Sequence, residues 1–470
     1  MTSLEYDIVA VGGGTAGLVT AAGSAYLGAR AALVEREALG GDCLWTGCVP
    51  SKALLASARR AAHMGSADDL GLSSHEPRVD FREVMERMRR ARERVAHHDD
   101  PERFRQMGVA VHFGTARFRE PGALEVEGVG MIRSKRIVIA TGARPAIPPI
   151  PGLEEAGYLT HETAFDQDEL PPSMLILGGG PIGLEFAQIY SRLGATVTVV
   201  EMLPEILPAE DPEVATTLRK ILEEEGITFA LGARAEKVET EGGERVVTTA
   251  DGRTFRARGI LVATGRRPNT GGLEVDRAGV ALEGAGVQVD DRLRSSARGV
   301  WAAGDVTGGL QFTHAADAMA KTVIRNALLP LSSRVDLSNV PRVTYTDPEV
   351  AHVGLTEAEA VEQGGKVFRY PMDDLDRAIA DGATRGFVKI SADRKGRILG
   401  ASIVAAGAGE LLLPLVMARK HGLKLPDISN TIFPYPTMVE GVKRTADAYQ
   451  RTRLEGPGGR VLRRVVRWLA

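Results

Sequence analysis

Residues 40–52 read GGDCLWTGCVPSK and hold both cysteines of a 470-residue chain, Cys43 and Cys48. Three chemistries are open to such a pair. A structural disulfide suits an oxidising compartment, a metal site needs three or four ligands, and a redox pair needs one sulfur held as thiolate. The nine histidines are scattered, so no metal ligands are assigned. Pro50 is tolerated in a first helical turn and SKALLASARRAAHM continues as a good helix, which predicts Cys48 at a helix N-terminus. Partial positive charge there favours the thiolate, and Lys52, one turn on, adds a cation. Taken alone, Lys52 is an ordinary solvated helix lysine.

Two repeated units must position this segment. YDIVAVGGGTAGLVTAAGSAYLGARAALVERE reads as strand, glycine turn, small-residue helix and strand, with Gly12, Gly14 and Gly17 in the turn and Glu35 closing the second strand. MLILGGGPIGLEFAQIYSRLGATVTVVEM repeats it with Gly178, Gly180, Gly183 and Glu201 at a constant offset. The glycines permit a tight turn and close approach of a pyrophosphate to a helix N-terminus, and the acidic residue accepts from a ribose diol. One glycine pattern alone is an ordinary strand–helix turn; two complete copies predict two dinucleotide sites. Glu201 would repel a 2′-phosphate and no Arg follows it directly, which favours NADH over NADPH. A shorter repeat ends two apolar strands in Ala-Thr-Gly, at Thr141-Gly142 and again at Gly265. GVWAAGD then sets a strand before Gly304-Asp305, where a carboxylate could take polyol hydroxyls or serve as a helix cap.

Composition bounds the rest. Hydrophobic content of 44%, 25% charge and a net charge of -3 describe a globular chain of several domains with no general attraction for nucleic acid. The N-terminus shows no signal-peptide pattern and no apolar run approaches a membrane span, so the expected location is cytoplasmic.

The glycine fingerprints, the Gly-Gly-x-Cys-x4-Cys-Val-Pro-Ser-Lys segment, the Ala-Thr-Gly strands and Gly304-Asp305 together resemble the class I pyridine nucleotide-disulfide oxidoreductases, which include dihydrolipoamide dehydrogenase, glutathione reductase and mercuric reductase. The resemblance runs in order from about residue 5 to about 450. It implies an α/β fold: two Rossmann-like domains for FAD and NAD, and a C-terminal α+β dimerisation domain. The implied boundaries are 1–149 and 270–338 for the FAD-binding parts, 150–269 for the NAD(P)H domain, 339–455 for dimerisation and 456–470 for a basic amphipathic tail. It implies FAD on Gly12, Gly14, Gly17, Glu35, Thr141, Gly142, Gly304 and Asp305, and NAD(H) on Gly178, Gly180, Gly183, Glu201 and Gly265. Lys52 would lie beside the flavin and pair with Glu185. Cys48 would be the charge-transfer thiolate and Cys43 the interchange thiol of a redox-active disulfide, in a homodimer that shares its active site and serves a small-molecule electron acceptor.

One position departs from the family. Its members carry a His-Pro-x4-Glu-like motif whose His is the acid–base for substrate thiols; here the segment reads NTIFPYPTMVEG, with Glu440 present and Tyr435 at the histidine position. Tyr, with a pKa near 10 against about 6.5 for His, donates and orients but is a poor base. It is also readable as a packed interface aromatic. The acceptor is therefore open: a disulfide, a quinone or a metal ion, with reduction of Hg(II) by the inner pair as one alternative and direct flavin-to-quinone transfer with a regulatory disulfide as another. In the tail, Val461, Leu462, Val465, Val466 and Leu469 fall on one helical face with Arg460, Arg463, Arg464 and Arg467 opposite. That pattern fits either a packed terminal helix or contact with an anionic inner-membrane surface. Residues 79–107 are expected to form one charged helix with its arginines in solvent, and residues 375–404 hairpin strands.

Overall fold

The computed structural model describes residues 3–75, 77–330 and 332–470. The chain divides into two compact units. One comprises 1–56, 80–170 and 259–337; the other comprises 57–79, 171–258 and 338–470.

The first unit is built on a five-stranded parallel sheet in the order Val300–Ala302, Ile137–Ile139, Ile8–Val11, Ala31–Glu35, Val109–Phe113. These are short, almost wholly apolar strands, as expected of a parallel sheet covered on both faces. The helices Thr15–Tyr26 and Thr313–Leu328 pack together. A four-stranded sheet made by Leu4–Tyr6, Gly130–Ser134, Ala123–Val126 and Ala116–Glu120 completes the unit. Val9, Val11, Ile137, Ile139, Phe118, Leu124 and Ile132 are buried in one cluster with it. The two Ala-Thr-Gly segments lie side by side, because Ala143–Pro145 pairs antiparallel with Arg266–Pro268.

In the second unit Ser173–Leu177, Thr196–Val200 and Thr228–Ala230 form a parallel array, again with a glycine turn and a helix (Pro181–Leu193) after the first strand. A three-stranded antiparallel sheet spans 235–257. The C-terminal part is a five-stranded antiparallel sheet in the order Arg342–Thr344, Glu349–Gly354, Ile398–Ala405, Phe387–Ala392, Lys366–Pro371. The helices Ala408–His421 and Glu440–Glu455 bury Leu411, Leu412, Leu415, Val442 and Ala446 in its core.

Two local expectations change. Residues 79–107 do not form one helix. Phe81–Ala96 and Pro101–Gln106 are separate helices, because Pro101 cannot continue the ladder and Asp100 caps the new start by accepting from the Glu102 N–H at 2.7 Å. Nor are its arginines all solvated. Arg87 donates to the Ala53 carbonyl at 2.8 Å, Arg89 pairs with Asp168 at 2.9 Å, and the Arg92 guanidinium lies 5.5 Å from the centre of the Trp45 ring. The long aliphatic stems let these cations cover buried surface while finding polar partners. Likewise, the 375–404 hairpin is preceded by a short helix, Asp376–Ala380.

Candidate active site

The two cysteines are brought together by local chain geometry. A short helix, Gly41–Trp45, carries Cys43, and the helix Cys48–Gly65 starts at Cys48 itself. Thr46 donates to the Asp42 carbonyl at 2.9 Å, closing the first helix. Gly47 then passes so near that carbonyl that a Cβ would stand 2.8 Å from its oxygen. The Trp45 indole donates to the Leu39 carbonyl at 2.7 Å and anchors the loop.

The Cys43 thiol is hydrogen-bonded to Cys48. That bond to a negatively charged neighbour, followed by burial, drives the Cys43 pKa far up; Thr313 and Lys52 pull it down more weakly. Cys48 begins an 18-residue helix, where the helix dipole favours a thiolate. Thr313 touches both sulfurs and lies 3.7 Å from the Cys48 Sγ, at the first position of its own helix. Sequence reasoning missed Thr313. It lies 265 residues from Cys48, and nothing in FTHAADAM marks it locally.

The glycine turn abuts the same segment. Gly12 has φ +111°, and a Cβ on Gly17 would sit 1.8 Å from the Gly12 carbonyl oxygen. Only glycines allow this close passage of strand and helix. The Gly40 N–H donates to the Gly13 carbonyl at 2.8 Å, and a Cβ on Gly41 would reach 2.7 Å from the Gly14 Cα. Glu35 accepts from the Gly13 N–H at 2.5 Å and from the N–H groups of Arg36 and Glu37 at 2.7 and 2.9 Å. The helix after the turn starts at Gly14 with no side-chain cap, and the space around Gly14 is open apart from Gly41. Free N–H groups facing open space fit a dinucleotide pyrophosphate.

Asp305 is linked to the cysteine segment through Arg266. Arg266 stands 3.3 Å from its carboxylate and also binds Asp42, the residue beside Cys43. Burial raises the Asp305 pKa, with Arg266 opposing. The Thr141 hydroxyl donates to the Asn269 carbonyl at 2.6 Å, while Asn269 donates back to Thr141 at 3.1 Å and its N–H to Gly142 at 2.9 Å. Gly265 accepts from Ala146 at 2.9 Å. The two Ala-Thr-Gly segments thus brace each other. Asp42 and Arg266 were not anticipated from sequence either, since their pairing is a tertiary fact.

In the second unit Gly178 has φ +113° and a Cβ on Gly183 would lie 2.0 Å from the Gly178 carbonyl oxygen. Buried Glu201 accepts from Gly179 at 2.6 Å and from Leu203 at 2.8 Å. Gly180 starts the helix without a side-chain cap, and a Cβ there would meet nothing. That seat fits a second nucleotide. Glu185, nearly buried on this helix, accepts from the Tyr345 N–H at 3.0 Å.

Tyr435 is 68% exposed and donates to Asp376 at 3.0 Å. That bond, to a carboxylate, raises its pKa further. Glu440 is buried at the start of its helix, 3.9 Å from Arg444. Among the described residues no group of three or more His, Cys, Asp or Glu is placed to hold a metal ion, and no helix is long and apolar enough to cross a membrane.

Residues 6–320 match the model of the pyridine nucleotide-disulphide oxidoreductases, and residues 340–446 match the dimerisation domain of that family. The chain belongs to this family. It is accordingly an NAD(P)H-dependent flavoprotein oxidoreductase using FAD and a pyridine nucleotide. A mercuric reductase of Streptomyces lividans is 36% identical, with 94% of this chain and 96% of the relative covered. A dihydrolipoyl dehydrogenase of Rhizobium etli is 35% identical, with 95% and 98% covered. Among solved structures, the Cu(II) complex of the HOCl-induced flavoprotein disulfide reductase RclA of Escherichia coli is similar with a TM-score of 0.86 and 30% identity, covering 95% of this chain and all of that one. FAD and a nicotinamide supply two-electron hydride chemistry beside the dithiol.

Proposed function

We propose that this protein takes electrons from NADH and delivers them through the Cys43–Cys48 pair to a small acceptor whose reduction needs no histidine base at position 435. The observation that carries the reading is the juxtaposed sulfur pair, with the Cys43 thiol pushed up and Cys48 at a helix start. Overall, disulfide, NADH and a proton become dithiol and NAD⁺, and the acceptor restores the disulfide by taking two electrons. Cys48 is the sulfur held as thiolate by the helix start, and Cys43 is the thiol that meets the acceptor. Lys52, one turn into the same helix, adds positive charge beside them. Gly12, Gly14, Gly17, Glu35 and Asp305 form the FAD seat, shaped by Thr141, Gly142 and Gly304. Gly178, Gly180, Gly183, Glu201 and Gly265 form the nicotinamide-nucleotide seat. The buried Glu201 carboxylate favours a free ribose diol, hence NADH over NADPH.

The division into 1–149 and 270–338 (FAD), 150–269 (nucleotide), 339–455 (dimerisation) and 456–470 (tail) belongs to the same reading. In a homodimer, exposed Tyr435, with Glu440 buried behind it, would reach the partner's site as a donor rather than a base.

A soft metal ion is the acceptor these residues favour. Thiolates bind such ions without a proton shuttle, and relatives include mercuric reductases and a protein solved with Cu(II). Under anaerobic NADH, a panel of Hg(II), Cu(II), lipoamide, glutathione disulfide and quinones tests this. Metal-ion turnover that collapses in Cys43→Ser is expected. Strong lipoamide turnover contradicts the account of Tyr435, and quinone turnover unaffected by Cys43→Ser would establish direct transfer from the flavin instead.

A membrane-facing role for the tail has its own support. In the helix Pro457–Leu469, Val461, Leu462, Val465, Val466 and Leu469 are all exposed, opposite four arginines. Flotation with anionic liposomes should be lost on truncation after residue 456; equal flotation of both forms excludes it.

A further inference from the structure

A second cleft lies in the first unit, at the end of the parallel sheet opposite the glycine turn. Asp7, Arg136 and Gly299 immediately precede the strands Ile8–Val11, Ile137–Ile139 and Val300–Ala302, and all three residues line it. The glycine turn, Gly142 and Gly304-Asp305 follow the carboxyl ends of those same strands, where open α/β sheets hold their dinucleotides. The sheet therefore separates this cleft, of about 1150 Å³, from the FAD seat.

Its walls are strongly cationic. Arg30, Arg133, Lys135, Arg136, Arg294 and Arg298 line it, against the two acids Glu5 and Asp7. Three of the cations are occupied: Arg30 pairs with Asp7 at 3.2 Å, Arg133 with Glu120 at 2.9 Å, and Arg136 donates to the carbonyls of Ala327 and Asp7 at 2.5 and 3.3 Å. Among the described residues the side chains of Lys135, Arg294 and Arg298 make no ion pair or hydrogen bond. A solvated lysine or arginine on a convex surface needs no partner. Three gathered around one concavity add their positive fields there. Trp301, only 9% exposed, closes the apolar floor of the same cleft beneath these cations.

We propose that this cleft binds a small multivalent oxyanion, a phosphoester or a polycarboxylate, held by Lys135, Arg294 and Arg298. Planar guanidinium forks suit the paired oxygens of either class. The ligand is distinct from both dinucleotides, and the inference does not depend on the identity of the electron acceptor.

Calorimetric titration of the FAD-loaded enzyme with inorganic pyrophosphate and, separately, with citrate tests the site, with nucleotide-free protein at fixed ionic strength. Saturable binding of at least one is expected, and the tighter of the two identifies the phosphoryl or the carboxylate class. Arg294→Gln and Arg298→Gln should each weaken it by about tenfold or more, with FAD content and the apparent NADH affinity unchanged. Two results would overturn the proposal. One is no saturable binding of either anion; the other is binding that survives both substitutions, which would assign the anion to a dinucleotide seat.

Discussion

The two glycine turns are nearly superposable in their chemistry and differ in their company. Gly12 and Gly178 share a φ within 2° of each other, +111° and +113°. Gly17 and Gly183 graze the same carbonyl position, and Glu35 and Glu201 accept from the N–H of the middle glycine at 2.5 and 2.6 Å. Beyond the turn they diverge. Gly14 is met by Gly41 of the cysteine segment, whereas nothing stands within 4 Å of a Cβ on Gly180. One turn is walled in by the cysteine-bearing segment; the other opens outward. That difference suits one nucleotide that stays and one that comes and goes.

The sharpest way to break the comparison is to fill the two glycines inside the first helical turns. Gly17→Ala should yield protein without bound FAD, since its Cβ collides with a backbone oxygen at the retained ligand's seat. Gly183→Ala should keep FAD but lose reduction by NADH by about 100-fold or more, as misplacing a reacting group by about 1 Å does. Measured flavin content and rapid-mixing reduction rates check both, and equal loss of flavin from both would erase the proposed division of roles.

Acid stability gives a second, smaller contrast. Burial holds His161 in the first unit and His352 in the second at a pKa of about 4. Arg266 and Arg342 push the same way, while Asp42 and Asp211 oppose. Because an unfolded histidine protonates near 6.5, the unfolded chain gains protons first as pH falls. Each site thus costs stability between about pH 6.5 and 4, on the order of 3 kcal/mol at the low end, and nothing above that window. Carboxylates with raised pKa values, such as Asp305 and Glu210, act in the opposite sense. His352→Asn should flatten the acid limb of the melting profile measured from pH 7 to 5. An unchanged limb would mean that protonation of His352 does not contribute to it.

The smallest effect concerns nucleotide choice. Glu201→Gln should weaken NADH by about tenfold, consistent with a charged hydrogen bond of roughly 1.5 kcal/mol, and narrow the gap to NADPH in steady-state KM. A variant with an unaltered NADH/NADPH ratio would remove Glu201 from that role.

Much of this was legible in the sequence because it is local. The strands, glycine turns and terminal acids follow from spacing alone, and Pro50 and the following residues predicted the helix that begins at Cys48. The side-by-side pairing of the two Ala-Thr-Gly segments was hidden, since it joins residues more than a hundred positions apart. So were Thr313 against the sulfurs and Arg266 between Asp42 and Asp305. The 79–107 segment misled because its charge pattern is periodic while a single Asp-Pro step ends the helix. Tyr435 was readable as a substitution, but its hydroxyl's partner, Asp376, came only with the fold.

The central claim is that the cysteine pair stores electrons beside the flavin, and anaerobic titration with NADH tests it most directly. The wild-type enzyme should consume about two NADH per subunit before reduction is complete, one for the flavin and one for the disulfide. Cys43→Ser should consume about one. Equal consumption of a single NADH by both proteins would show that Cys43 and Cys48 take no part in electron flow.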